Sequence, residues 1–260
     1  MDPALRAAAS GMMAQQLRTE VISNNLANVN TTGFKRSRAQ FEDLLYQTVQ
    51  GSAVIGTPES QTQPAIQIGR GTRLVSVQRM HGQGSLETTN RPLDLAIEGE
   101  GFFQVQLPNG AVGFTRDGTF QISDQGALVT QQGFSVMPGI TIPGDATGVT
   151  ISRTGVVTAT RGGEPVELGR LELARFANPA GLLANGENVY TQTTASGEPV
   201  LGFPEEESMG RLLQGHLEGS NVEIVQEMVD MITSLRAYEI NSKAIKNSEE
   251  MTQIANGLLR

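Results

Sequence analysis

The sequence predicts an α+β protein. Its N- and C-terminal helices pack as an α-helical coiled coil, a central antiparallel all-β domain lies between them, and an extended connector joins the two. Three observations carry this. The first 30 or so residues and the last 40 or so are apolar-periodic at helical spacing, whereas the middle is a series of short β-rich runs separated by turn residues. No helical stretch separates those runs, which argues for a sandwich or barrel rather than a βαβ sheet. The expected division is 1–31 with 220–260 for the terminal helices, 32–70 with 205–219 for the connector, and 71–204 for the β domain.

The N-terminal helix begins well. Asp2 is a good N-cap and Pro3 occupies the first helical position, where proline is tolerated best. Leu5, Ala9, Met13, Leu17 and Val21 follow one another four residues apart, and Met12 and Leu26 broaden that stripe. The helix then meets SNNLANVNTTGFKRSR, Ser23–Arg38. Asn24, Asn25, Asn28 and Asn30 are poor helix-interior residues, because a short amide competes for backbone groups. With Gly33 they read as a C-terminal cap, and Lys35 and Arg36 complement the negative end of the helix dipole. A nucleic-acid site would need a larger basic field with interleaved aromatics, and only Phe34 is near. The structural and inter-subunit readings of the cluster are favoured.

In the connector, Ser37 and Gln40 are expected to cap a short helix carrying Phe41, Leu44, Leu45 and Val49. The stretch QGSAVIGTPESQTQPAIQIGRG that follows is polar and broken by Gly and Pro, so it reads as a loop or extended arm. Strand-like runs then recur: RLVSVQRM, DLAIEG, FFQVQL, TFQIS, GALVT, VTIS, GVVTAT and LGRLELARF. Turn signals such as Asn109-Gly110, Asp117-Gly118 and Gly162-Gly163 punctuate them. Phe103, Val105 and Leu107 alternate as in a half-buried strand.

The C-terminal helix opens on a predicted capping box, Ser220 with Glu223. Ile224, Met228, Met231, Leu235, Tyr238, Ser242 and Ile245 then recur in alternating steps of four and three, a coiled-coil seam. Continued to Asn256-Gly257, the helix would be roughly 50 Å long, well beyond an average helix of about 11 residues. Both stripes are broad, and the C-terminal helix outruns its mate. One partner helix cannot cover either, which implies other chains.

Chemistry is sparse. The chain has 260 residues, no Cys, no Trp, two His and a formal net charge of −8. Thiolate, disulfide and Cys-based metal chemistry are excluded, and nucleic acid is a poor main partner. His81 and His216 stand alone, without a second His at metal-ligand spacing. Gly99 and Gly101 lack the third glycine of a dinucleotide loop, and GRGT at 69–72 lacks a phosphate-loop pattern. Asp94, Glu98, Glu100, Asp117 and Asp124 are acids without a convergent site, and Asp117 and Asp124 suit turns. No catalytic, cofactor or metal residue is assigned, and no enzyme is expected. No apolar run is long enough to insert in a membrane, and the N-terminus lacks the form of a cleaved signal peptide.

Taken together, SNNLANVNTTGFKRSR, DLAIEGEGFFQV with FTRDGTFQISDQGALVTQQGF, and RAYEINSKAI near the C-terminus resemble the bacterial flagellar axial proteins, the rod and hook group. The likeness spans essentially the whole chain. Within the group, FEDLLYQTV and the connector through IQIGRGTR look most like the distal rod. A proximal rod or hook subunit is the alternative, and more remotely a secreted β-rich adhesin or phage-tail-like protein.

The resemblance implies a non-enzymatic subunit without cofactor. It would leave the cytosol through the flagellar export apparatus uncleaved and assemble with itself into a stiff helical tube crossing the periplasm. That tube would carry torque from motor to hook. Its partners would be other copies, proximal rod and hook or hook-junction proteins, and the P-ring and L-ring proteins. In that setting the expected subunit-packing residues are Leu5, Met12, Met13, Leu17, Leu26, Met228, Met231, Leu235, Tyr238 and Ile245. The expected junction polar contacts are Asn24, Asn25, Asn28, Gly33, Phe34, Lys35 and Arg36. The arm from about Gln47 to Arg70 would reach neighbouring subunits and block bending.

Overall fold

In a computed structural model that describes residues 3–50, 53–54, 62–63, 65–206 and 208–258, the chain is α+β and forms two compact units. The first comprises residues 1–26, 37–78 and 224–260, and the second residues 27–36 and 79–223. Among the described residues, no helix is long and apolar enough to cross a membrane.

The first unit contains helix α1, Pro3–Ala27, and helix α2, Ile224–Leu258, the latter 35 residues long. They run antiparallel: Gly11 lies against Asn241, Arg18 pairs with Asp230 at 3.3 Å, and Asn25 bonds Glu227 at 3.1 Å. Gly11 permits that approach, because a Cβ there would sit 2.9 Å from the Asn241 amide nitrogen. The expected capping box is not made as drawn. The helix starts at Ile224, too late for Ser220 to serve as its N-cap, and the Ser220 hydroxyl accepts instead from the Val222 N–H at 3.3 Å. The predicted stop at Asn256-Gly257 falls within the last turn of α2.

The short helix expected after Ser37 is absent. Ser37–Asp43 is a strand paired with Thr72–Arg79, and its side chains alternate half-buried and exposed through Phe41. The Gln40 amide donates to Gln78 at 2.7 Å across that ladder. Phe41, Leu44 and Leu45 fit a single helical turn as well as a strand, and pairing with a segment some 30 residues on in sequence decided between them. The expected arm is also a ribbon in its described parts. Tyr46–Gln50 pairs antiparallel with Ile66–Gly69, and Ala53–Val54 with Thr62–Gln63. Residues 51–52, 55–61 and 64 of that arm lie outside the described residues.

The second unit is antiparallel throughout its described pairings. Phe102–Gln106 is the centre of a nine-stranded sheet. It pairs with Val112–Thr115 along one edge, and with Ser135–Val136 and Leu173–Arg175 along the other. Gly148–Ile151, Val156–Arg161 and Glu164–Arg170 form a three-stranded meander. The run LGRLELARF, read as one strand, breaks after Arg170 into two. The return segment expected as connector carries strands: Arg211–Gln214 pairs with Leu95–Glu98, and His216–Glu218 with Leu86–Thr88.

Successive side chains of a strand point to opposite faces. Phe103 and Val105 enter one apolar cluster with Leu95, Ile97, Phe120 and Leu128. Phe102 enters another with Phe114, Phe176 and Tyr190. Both members of the Phe pair are buried, so the central strand is covered on both faces.

Candidate assembly surface and buried polar clusters

In the first unit the usual arrangement of polar and apolar faces is inverted. On α2, Glu227, Ser234, Asn241 and Ser248 recur every seven residues; Glu227, Ser234 and Ser248 are buried and Asn241 is half-buried. Glu227, Ser234 and Asn241, with Asp230, lie against or bond α1. The Ser234 hydroxyl donates to the Gln15 carbonyl at 3.0 Å and lies 2.9 Å from the Thr19 hydroxyl. A small-residue polar seam fixes register more than it contributes stability, because a net intramolecular hydrogen bond is worth about 1 kcal/mol. The apolar residues are left outside. Ile224, Val225, Met228, Val229, Ile232, Leu235, Tyr238 and Ile240 are all exposed, Leu235 at 49%.

The predicted packing residues divide accordingly. Leu5, Met12, Leu17, Leu26, Met231 and Ile245 are half-buried, whereas Met13, Met228, Leu235 and Tyr238 are exposed, Met13 at 67%. Within the apolar seam read from the sequence, Ile224, Met228, Leu235 and Tyr238 are exposed, whereas Met231, Ser242 and Ile245 are half-buried. An open hollow of about 600 Å³ lies on this unit, with Leu235 and Tyr238 in its lining beside Gln16, Thr19 and Ser23.

The Asn-rich segment is split between the two units. Asn25 is buried at 1% exposure within the first. Its amide oxygen accepts from the Ser37 N–H at 2.8 Å, while its nitrogen donates to the Ser37 carbonyl at 2.8 Å and to Glu227 Oε2 at 3.1 Å. Only an amide both donates and accepts in this way. This junction amide is satisfied within its own chain. Asn24 is exposed.

In the second unit, Asn28 starts a turn: the Thr31 N–H donates to its carbonyl at 3.2 Å and the Thr31 hydroxyl to its side chain at 3.2 Å. Gly33 has φ +68°, and a Cβ there would lie 2.7 Å from the Asp117 nitrogen, so no other residue fits. Its N–H donates to the Glu218 carbonyl at 2.8 Å. Phe34 and Arg36 are half-buried, and the Arg36 N–H donates to Asn221 Oδ1 at 2.7 Å.

Lys35 departs furthest from what its sequence neighbours imply. Read as a surface charge complementing a helix end, it is wholly buried. Its ammonium donates to Glu218 Oε1 at 2.5 Å and to the Gly82 carbonyl at 2.8 Å. Arg116 shares the same carboxylate: Nη1 is 3.2 Å from Glu218 Oε2, and Nη2 donates to the Gly99 carbonyl at 2.7 Å. Burial pushes both cations toward deprotonation while Glu218 opposes it. His81 stands edge-on to Phe102 and Tyr190. Burial, and the charges of Lys35, Arg116 and Arg79 after it, lower its pKa from 6.5 to about 4.

Glu218, Arg116, Glu227 and Ser234 were not singled out from sequence. The polar repeat on α2 was available to a search for polar rather than apolar periodicity; Arg116 and Glu218 left no local signal. Of the acids that lacked a convergent site in the sequence, Asp94 accepts from the Thr89 hydroxyl at 2.7 Å, Glu98 is paired with Arg211 at 2.7 Å, and Asp117 closes a turn on Thr119. Among the described residues no group of three or more acids and histidines is placed to hold a metal.

Comparison with known proteins gives three family-model matches: "Flagella basal body rod protein" over residues 5–35, "Flagellar hook protein FlgE/F/G D1 domain" over 96–159, and "Flagellar basal body rod FlgEFG protein C-terminal" over 213–258. The chain is 49% identical to the flagellar basal-body rod protein FlgG of Borreliella burgdorferi, covering all of both chains. It is 47% identical to the FlgG of Caulobacter vibrioides over 98% of each. It is 34% identical to the flagellar basal-body rod protein FlgF of the same organism, over 98% of this chain and 97% of that one.

Proposed function

Since this chain belongs to the family of flagellar basal-body rod proteins named FlgG, we propose that it is the structural subunit of the distal rod, which copies of the chain build as a stiff helical tube carrying torque from motor to hook. The observation that carries this reading is the outward apolar face of α2, from Ile224 to Ile254, in a chain whose two helices meet through polar side chains. Burying apolar surface yields about 25 cal/mol per Å², and a tube repeats the same burial at every subunit. The terminal helices of neighbouring copies pack as a coiled coil, with Leu235 and Tyr238 among the seam residues. In this reading the terminal helices (1–31 with 220–260) supply the seam between copies, and the connector (32–70 with 205–219) joins them to the β domain (71–204). The ribbon from Tyr46 to Gly69 carries exposed Leu45, Val49, Ile66 and Ile68 on or beside its strands, which suits contact with a neighbouring subunit that resists bending.

The remaining partners in this reading are proximal rod and hook or hook-junction proteins, the P-ring and L-ring proteins, and the export apparatus. The last delivers the chain to the periplasm without cleavage. Electron microscopy of the purified chain at high concentration is the test. Open-ended straight tubes are expected, and a closed trimer alone would overturn the reading in favour of an adhesin-like assembly.

A further inference from the structure

The second unit contains a cavity that the assembly reading does not use. It measures about 460 Å³, and its lining includes His81, Phe102, Arg116, Arg175, Phe176 and Val200. In a chain of net charge −8, this hollow gathers two guanidinium groups and an imidazole. Arg116 is 5% exposed and both its Nη groups are engaged, yet its buried Nε–H has no hydrogen-bond partner; neither has the buried Nδ1 of His81. Native proteins rarely leave buried donors unmet. Arg175 is only loosely held, 3.7 Å from a largely exposed Glu100 that also lines the cavity.

Beside the cavity lies an open sheet edge. Val200–Gly202 pairs with Leu173–Arg175 and, among the described residues, with no strand on its other side. Val200 and Leu201 are exposed there. An edge of this kind accepts an extended segment through main-chain hydrogen bonds, while pockets read alternate side chains. The cavity would read a side chain that is apolar in its stem and anionic at its tip. Phe102 and Phe176 offer the wall, and Arg175 and Arg116 the donors; arginine is well matched to a carboxylate.

We infer that this cavity is a docking pocket for the carboxylate of an acidic peptide segment laid along the open Val200–Gly202 edge. The entering carboxylate takes Arg175 from Glu100. This does not depend on tube formation.

The chain has only two histidines, so the His81 ring is a clean reporter, separated from His216 by a His216→Gln control. The experiment titrates the full chain, unassembled, with blocked acetyl-Val-Glu-Val-amide, its Gln counterpart, and acetate, following the histidine ring resonances by NMR. The Glu peptide is expected to shift His81 saturably without moving His216. Loss of one charge-assisted pair, in the Gln peptide or in Arg175→Gln, weakens binding by about tenfold. Glu100→Gln, which removes the competing carboxylate, strengthens it. Both substituted side chains are at least partly exposed, so the fold is not at risk. Equal responses to the Glu and Gln peptides, or no saturable shift of His81, would overturn the carboxylate pocket. Binding of acetate as tight as that of the Glu peptide would overturn the peptide edge.

Discussion

The two units place their polar and apolar side chains in opposite ways. The β unit buries Phe103, Phe120, Leu95 and Leu173 almost completely and closes a charged cluster inside itself. The helical unit joins its two helices through Ser234, Thr19, Asn25 and Glu227 and leaves Met13, Met228, Ile232, Leu235 and Ile240 exposed. The buried cluster and the proposed assembly surface involve different residues, so substitutions should separate stability from assembly.

The largest effect should come from the charged cluster. Two cations share one carboxylate, so Glu218→Gln leaves Lys35 and Arg116 buried without a counter-charge. Chemical denaturation should show a loss of about 3–5 kcal/mol. Lys35→Met keeps Arg116 matched to Glu218 and should cost clearly less. Equal costs would mean that the two cations do not depend on the same carboxylate.

The next effect depends on pH. His81 titrates near 6.5 when unfolded and at about 4 when folded. As pH falls, the unfolded chain takes up that proton first. The stability owed to neutral His81 is therefore intact above 6.5, is lost between 6.5 and about 4, and is level below. The full loss is about 3 kcal/mol. Unfolding of His81→Phe followed across that window should lack this component of the slope; an unchanged slope would place the proton elsewhere.

Smaller still is the polar seam. Ser234→Ala removes one hydroxyl from the α1–α2 contact and should cost the helical unit about 1 kcal/mol, read from loss of helical signal on heating. The smallest effect on the isolated chain should be that of Leu235→Asp, within about 0.5 kcal/mol because the side chain is already exposed. The same substitution should abolish tube growth in the electron microscope. If tubes persist, the outward face is not the assembly surface.

The sequence determined the two terminal helices, the antiparallel β middle and most of its strands. Repeated side-chain spacing and turn residues act locally, whereas Gly33, read as part of a helix cap, lies beyond the end of α1 and donates to the Glu218 carbonyl. The sequence also predicts apolar stripes broader than one partner helix covers. It did not show which face of α2 meets α1. Apolar and polar repeats of the same seven-residue period coexist on one helix, and only the approach of Gly11, Gln15 and Thr19 selects the polar one. Nor could it distinguish strand from helix after Ser37, where pairing with Thr72–Arg79 is decisive. Lys35 beside Arg36 looks like any surface pair; its burial follows from Glu218, 183 residues away in sequence. A charge leaves water only where the fold supplies its partner, and that partner is a property of the tertiary structure alone.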